Sequence, residues 1–114
     1  MKFYKPTKWH FRYNKNRNSN RIKKHPTLIV GKTKDNKKLL NIGITHSKYR
    51  GHHKNIEIKD QSNWNKISYL RDDIKLDDID KLENILKEYK IHKNDIEKIL
   101  KIILKYKKRI PSRR

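Results

Sequence analysis

The chain has 114 residues, room for one domain with a modest core, since small domains keep much of their surface in water. It carries 32 Lys and Arg against 12 Asp and Glu, a formal charge of +20, and a surface of that charge repels itself until an anionic partner neutralises it. It lacks cysteine, which excludes disulfides and Cys-ligated zinc, and no apolar run reaches the ~20 residues a membrane-spanning helix needs.

Along the chain, the first half reads as strands. Residues 9–13 alternate aromatic side chains and predict a first strand, with Trp9, Phe11 and Tyr13 serving either as core or as a base-stacking platform. The polar, basic run 14–20 predicts a loop. Pro26 cannot donate to a ladder and suits the start of a strand, and Thr27 to Val30 is rich in β-branched residues. A turn at Asp35 and Asn36 joins this strand to a second arm at 38–45, in which Gly43 signals a bulge or a close backbone approach. Further strands are expected at 55–58 and 67–70.

Beyond residue 75 the apolar period lengthens to about 3.6. Ile79, Leu82, Ile85, Leu86 and Tyr89 predict one helix. Ile96, Ile99, Leu100, Ile103 and Leu104 predict a second, with Asn94 and Glu97 as its capping box. The expected organisation is a single domain over 1–104 and a basic tail over 105–114.

Charge is uneven. Residues 1–59 hold 17 basic and 2 acidic side chains, residues 60–114 hold 15 and 10, so the first half is expected to build most of an anion-binding face. Asp35 and Glu57 are the only carboxylates of that half, which leaves acid-base chemistry there to His or Lys. His46, His52 and His53 lack the spacing of a zinc helix motif, and neither a metal nor another cofactor is expected. Alternation puts Thr45 and His46 on opposite faces of their strand.

Several short motifs over residues 24–104 resemble the MazF/PemK family of ribonuclease toxins. His25-Pro26 leads into the apolar strand Thr27-Leu28-Ile29-Val30, and Ile42-Gly43-Ile44-Thr45-His46-Ser47 ends a second strand on an apolar-Thr step. Asn55-Ile56-Glu57-Ile58 gives an apolar-acid-apolar strand, and Tyr69-Leu70-Arg71 leads to the Ile74-Lys75 step. His25 stands where the family commonly has a catalytic Arg, and no Gly-Asp-apolar step opens the chain.

The resemblance implies an α+β fold, a small SH3-like β-barrel of about five strands followed by two C-terminal helices. It implies metal-independent cleavage of single-stranded RNA through the 2′-hydroxyl, by the toxin of a toxin-antitoxin pair. His25, Thr45 and His46 would be catalytic. Arg17, Arg21, Lys23, Lys24, Ser47, Lys48, Arg50, His52, His53, Arg71 and Lys75 would bind the nucleic acid. Single-stranded RNA, an acidic protein antitoxin and a second copy of the chain are the expected partners, in the cytoplasm and without a membrane. The alternative is a non-catalytic, basic nucleic-acid-binding or inhibitory protein of a mobile element on the same scaffold, directed at a rival nucleoprotein complex.

Overall fold

A computed structural model of the chain describes residues 1–14, 26–58 and 67–109. Its centre is a hairpin of two long strands, β3 (Pro26–Lys32) and β4 (Lys38–Thr45). Both are buried on both faces along almost all their length, which the near-continuous apolar runs Leu28-Ile29-Val30 and Leu39-Leu40 require. The turn between them is closed by Thr33, whose hydroxyl donates to Asp35 Oδ1 at 2.6 Å, and by Lys37 N, which donates to the same oxygen at 3.0 Å. Asn36 takes the left-handed backbone (φ 61°) that the turn needs and Asn tolerates. The hairpin and its turn match the sequence expectation. Its irregularity falls on β3, between Ile29 and Gly31, rather than at Gly43.

Each central strand carries two shorter strands in succession along its outer edge. β1 (Lys2–Phe3) and β2 (His10–Asn14) pair with β3, separated by a 3-10 turn at Pro6–Lys8. Gly31 permits the approach of β1: a Cβ there would stand 2.5 Å from Lys2 O and 2.7 Å from Leu40 Cδ1. On the other side β8 (Tyr69–Leu70) and β9 (Lys75–Asp78) pair with β4, and β7 (Ile56–Glu57) pairs with β8. After β9 a 3-10 turn, Ile79–Lys81, delivers the chain to β10 (Leu82–Leu86), which pairs with β2. All ladders are antiparallel. A separate hairpin of two-residue strands, β5 (Tyr49–Arg50) and β6 (His53–Lys54), stands outside this sheet.

Two expected counts are corrected. Among the described residues the eight-stranded sheet is open, ending on β7 and β10, which do not pair with each other, and a closed barrel is not shown. Among the described residues there are ten strands instead of about five, and one helix instead of two. The stripe assigned to a first helix lies in the 3-10 turn and β10, with Tyr89 just beyond that strand. A one-residue bulge between Leu82 and Ile85 puts residues three apart on one face, a spacing that mimics a helix. Leu82 packs with Ile29 and Leu39 on one side of the sheet, while Leu86 packs against the main core on the other.

The helix α1 (Lys93–Arg109) extends past residue 104, where a tail was expected, and residues 110–114 lie outside the described set. His92 caps its start, Nδ1 accepting Asn94 N–H at 3.0 Å and the carbonyl accepting Asp95 N–H at 2.8 Å. Ile99, Ile102 and Ile103 seal the main core with Phe11, Leu28 and Ile42. Leu100 and Leu104, which belong to the apolar stripe that predicts this helix and would face the core, are 44% and 52% exposed. The run Ile99-Leu100-Lys101-Ile102-Ile103-Leu104 is apolar nearly all round, so periodicity alone could not choose the face. Trp9 and Phe11 are core residues, which removes them as a stacking platform. No helix among the described residues is long and apolar enough to cross a membrane.

Candidate nucleic-acid interface

At the end of β4, Thr45 pairs with Tyr69 and is 7% exposed. Its Oγ1 accepts Ser47 N–H at 3.2 Å, so the hydroxyl closes the turn that leaves the strand. His46 falls on the opposite, exposed side, as alternation requires. Its Nδ1 lies 3.3 Å from the Oγ of buried Ser68 and 3.4 Å from Ile67 O, contacts that orient the ring. Ser47 O accepts Asn55 Nδ2 at 2.9 Å, and Asn55 N donates to Lys48 O at 2.8 Å. Asn55, itself buried, thus pins the 46–48 loop to the foot of the β5–β6 hairpin.

That hairpin separates two open grooves, each of about 410 Å³, which share Asn55 as a wall. Lys48, Lys54 and Lys98 line one with Glu57 and Tyr69. His53, Lys105 and Arg109 line the other with Asp72 and Asp73. Some of this charge is already matched: Lys105 pairs with Asp72, and Lys98 lies 3.4 Å from Asp95 and donates to Glu57 O at 3.0 Å. Lys48 and Lys54 form no ion pair among the described residues. Cations from α1 therefore share the surface with those of the first half, which was expected to supply most of it. Lys98, Lys105 and Arg109 are spaced by seven and four residues, and that helical spacing is the signal by which the sequence could have united them.

Arg71 continues the β8 ladder, its N–H donating to Gly43 O at 2.9 Å. Two residues beyond Tyr69, it belongs to the face of the sheet that carries Thr45. Its Nε is buried and has no hydrogen-bond partner among the described residues. Lys75 pairs with Asn41, four residues from Thr45 along β4 and so roughly 13 Å away. His52 and His53 are exposed on the β5–β6 hairpin, where Arg50 pairs with His53 through the backbone. His25, Arg17, Arg21, Lys23 and Lys24, like Trp64, lie outside the described residues.

A second polar cluster escaped the sequence reading. On β2, Arg12 Nε donates to His10 Nε2 at 3.0 Å, and Arg12 Nη1 reaches Glu83 O at 3.3 Å. His10 Nδ1 lies 3.0 Å from Lys8 O, which fits the neutral tautomer that donates there and accepts from Arg12. Burial is the largest cause holding the His10 pKa below its ordinary value; the bond to Lys8 opposes it, and the Arg12 charge adds to the lowering. Beneath it, Thr27 Oγ1 donates to Asn41 Oδ1 at 2.7 Å, and Asn41 Nδ2 donates to Asp77 Oδ2 at 2.8 Å. This buried chain of polar groups ties β3, β4 and β9 together.

No family model matches the chain, and no curated protein or solved structure is significantly similar to it.

Proposed function

We propose that the protein binds single-stranded RNA across the β5–β6 hairpin and cleaves it without metal, as a toxin of MazF/PemK type with an SH3-like core. The reading rests most on one juxtaposition: Thr45 and Arg71 share a face of the sheet. Arg71 is half-buried with its Nε turned inward, so the rest of its guanidinium is what a phosphoryl oxygen would meet, and a fixed cation beside a hydroxyl suits the charge that develops as a 2′-oxygen attacks phosphorus. Arg71 thereby takes the role of the Arg that the resemblance places before Pro26. His46 follows Thr45 at the end of β4 and faces the other side, its ring oriented through Nδ1, and it serves as proton carrier to a strand that wraps this end of the sheet. The strand order β10-β2-β3-β4-β9, with a 3-10 turn between β9 and β10, is that of SH3-like barrels and supports the resemblance. The net charge fits an acidic antitoxin, a homodimer completes the toxin reading, and the place of action is the cytoplasm.

The test is incubation of a long single-stranded RNA in EDTA with wild type, Thr45→Ala, His46→Ala and Arg71→Ala. Wild type cleaves, and each variant slows the reaction by about 100-fold or more while still binding RNA. Equal cleavage by all four would remove these residues from the chemistry.

A second reading, a non-catalytic binder that blocks a rival nucleoprotein complex, is favoured by Thr45 itself, which is buried and already engaged with Ser47 N. It predicts tight, salt-sensitive binding and no product from wild type.

A further inference from the structure

We infer that Tyr49, on the β5–β6 hairpin, is a stacking platform for an unpaired base of the bound strand, with Lys48 and Lys54 holding the adjoining phosphates. This rests on the RNA-binding reading above and adds the way the strand is gripped. Tyr49 is 56% exposed. Its hairpin has strands of only two residues and forms no ladder with the main sheet, so the ring does not serve the core. Tyr49 pairs directly with Lys54, which puts both side chains on one face of the hairpin, and Lys54 lines a groove with Lys48. Lys48 Nζ lies 5.8 Å from the centre of the Tyr49 ring. An accessible aromatic face beside two ammonium groups matches both parts of a nucleotide, a base with a π surface and a phosphate with a charge. The turn is compatible with a projecting hairpin, since Gly51 supplies the left-handed backbone (φ 60°) at its tip.

A duplex hides its bases' faces, so the arrangement selects single strands. RNA is the occupant argued for, and single-stranded DNA of the same sequence is a competitor in the test.

The experiment measures binding of a short fluorescein-labelled RNA carrying 2′-O-methyl sugars, which cannot be cut by 2′-hydroxyl attack, to wild type, Tyr49→Ala, Tyr49→Phe and Tyr49→Trp. Urea unfolding of each variant checks that the fold is intact. The inference predicts that Tyr49→Ala weakens binding by about 5- to 100-fold with an unchanged salt slope. Phe and Trp retain wild-type affinity. Equal affinity of Tyr49→Ala and wild type would overturn the platform while leaving RNA binding standing. So would a loss in Tyr49→Phe as large as in Tyr49→Ala, because it assigns the effect to the hydroxyl. Duplex RNA that binds as tightly as the single strand also contradicts stacking, and DNA that binds more tightly than RNA contradicts the choice of occupant. Failure of wild type to bind any of these nucleic acids would overturn the RNA-binding reading itself.

Discussion

The two hairpins of this protein are built on opposite principles. β3–β4 is long, buried on both faces and stitched by the Thr27-Asn41-Asp77 chain of hydrogen bonds. β5–β6 has two-residue strands, an exposed lysine, exposed histidines and an exposed tyrosine, and it is tied to the rest through Asn55 at its foot. The first spends its side chains on the fold, so it holds the ends of the second at a fixed place. The second spends almost nothing on the fold, so its Lys, His and Tyr side chains are available to a ligand. A protein of +20 charge has cations everywhere; the ones that matter are those a rigid frame gathers on either side of one projecting element.

If that division is right, truncating the frame and truncating the projection have different consequences. Ile42→Ala empties a fully buried site facing Leu28 and should destabilise the fold by about 2–5 kcal/mol, read as a lowered urea midpoint. A cost near zero would mean that the central hairpin is not the frame.

A smaller effect comes from the edge of the frame, at His10. The folded state keeps this imidazole neutral, with a pKa below its ordinary value of 6.5. As pH falls below that ordinary value, the unfolded chain binds a proton that the folded chain resists. The stabilisation is complete above pH 6.5 and is lost as pH falls towards the folded pKa. Unfolding midpoints measured from about pH 7 to about pH 5 should fall less steeply in His10→Gln than in wild type. Identical slopes would mean that the ring protonates equally easily in both states.

The sequence made β3, β4 and their turn readable because apolar runs, Pro26 and Asp35-Asn36 all pointed to the same answer. It misled at Leu82 and Ile85, where a bulge converts a strand into a helical spacing, and at Leu100 and Leu104, where an apolar run offers several faces to the core. Of the candidate site, Thr45, His46 and Ser47 could be found as a cluster because they are contiguous. Arg71 came from a motif, and its position beside Thr45 depends on the pairing of β8 with β4. Asn55 could not be recognised at all: nothing local tells a buried asparagine that braces a loop from a surface one. The His10-Arg12 pair has no sequence signal of its own, since it alternates with Trp9, Phe11 and Tyr13, whose aromatic pattern dominates the segment.

The most direct test of the account is the salt dependence of RNA binding by wild type beside the double variant Lys48→Ala/Lys54→Ala. Lys48 precedes the hairpin and Lys54 belongs to it, and neither makes an ion pair among the described residues, so their loss should leave stability unchanged and remove two phosphate contacts. The slope of log affinity against log salt should become shallower by about 1.4, the value for two contacts to a single strand. An unchanged slope would mean that the strand runs elsewhere on the protein.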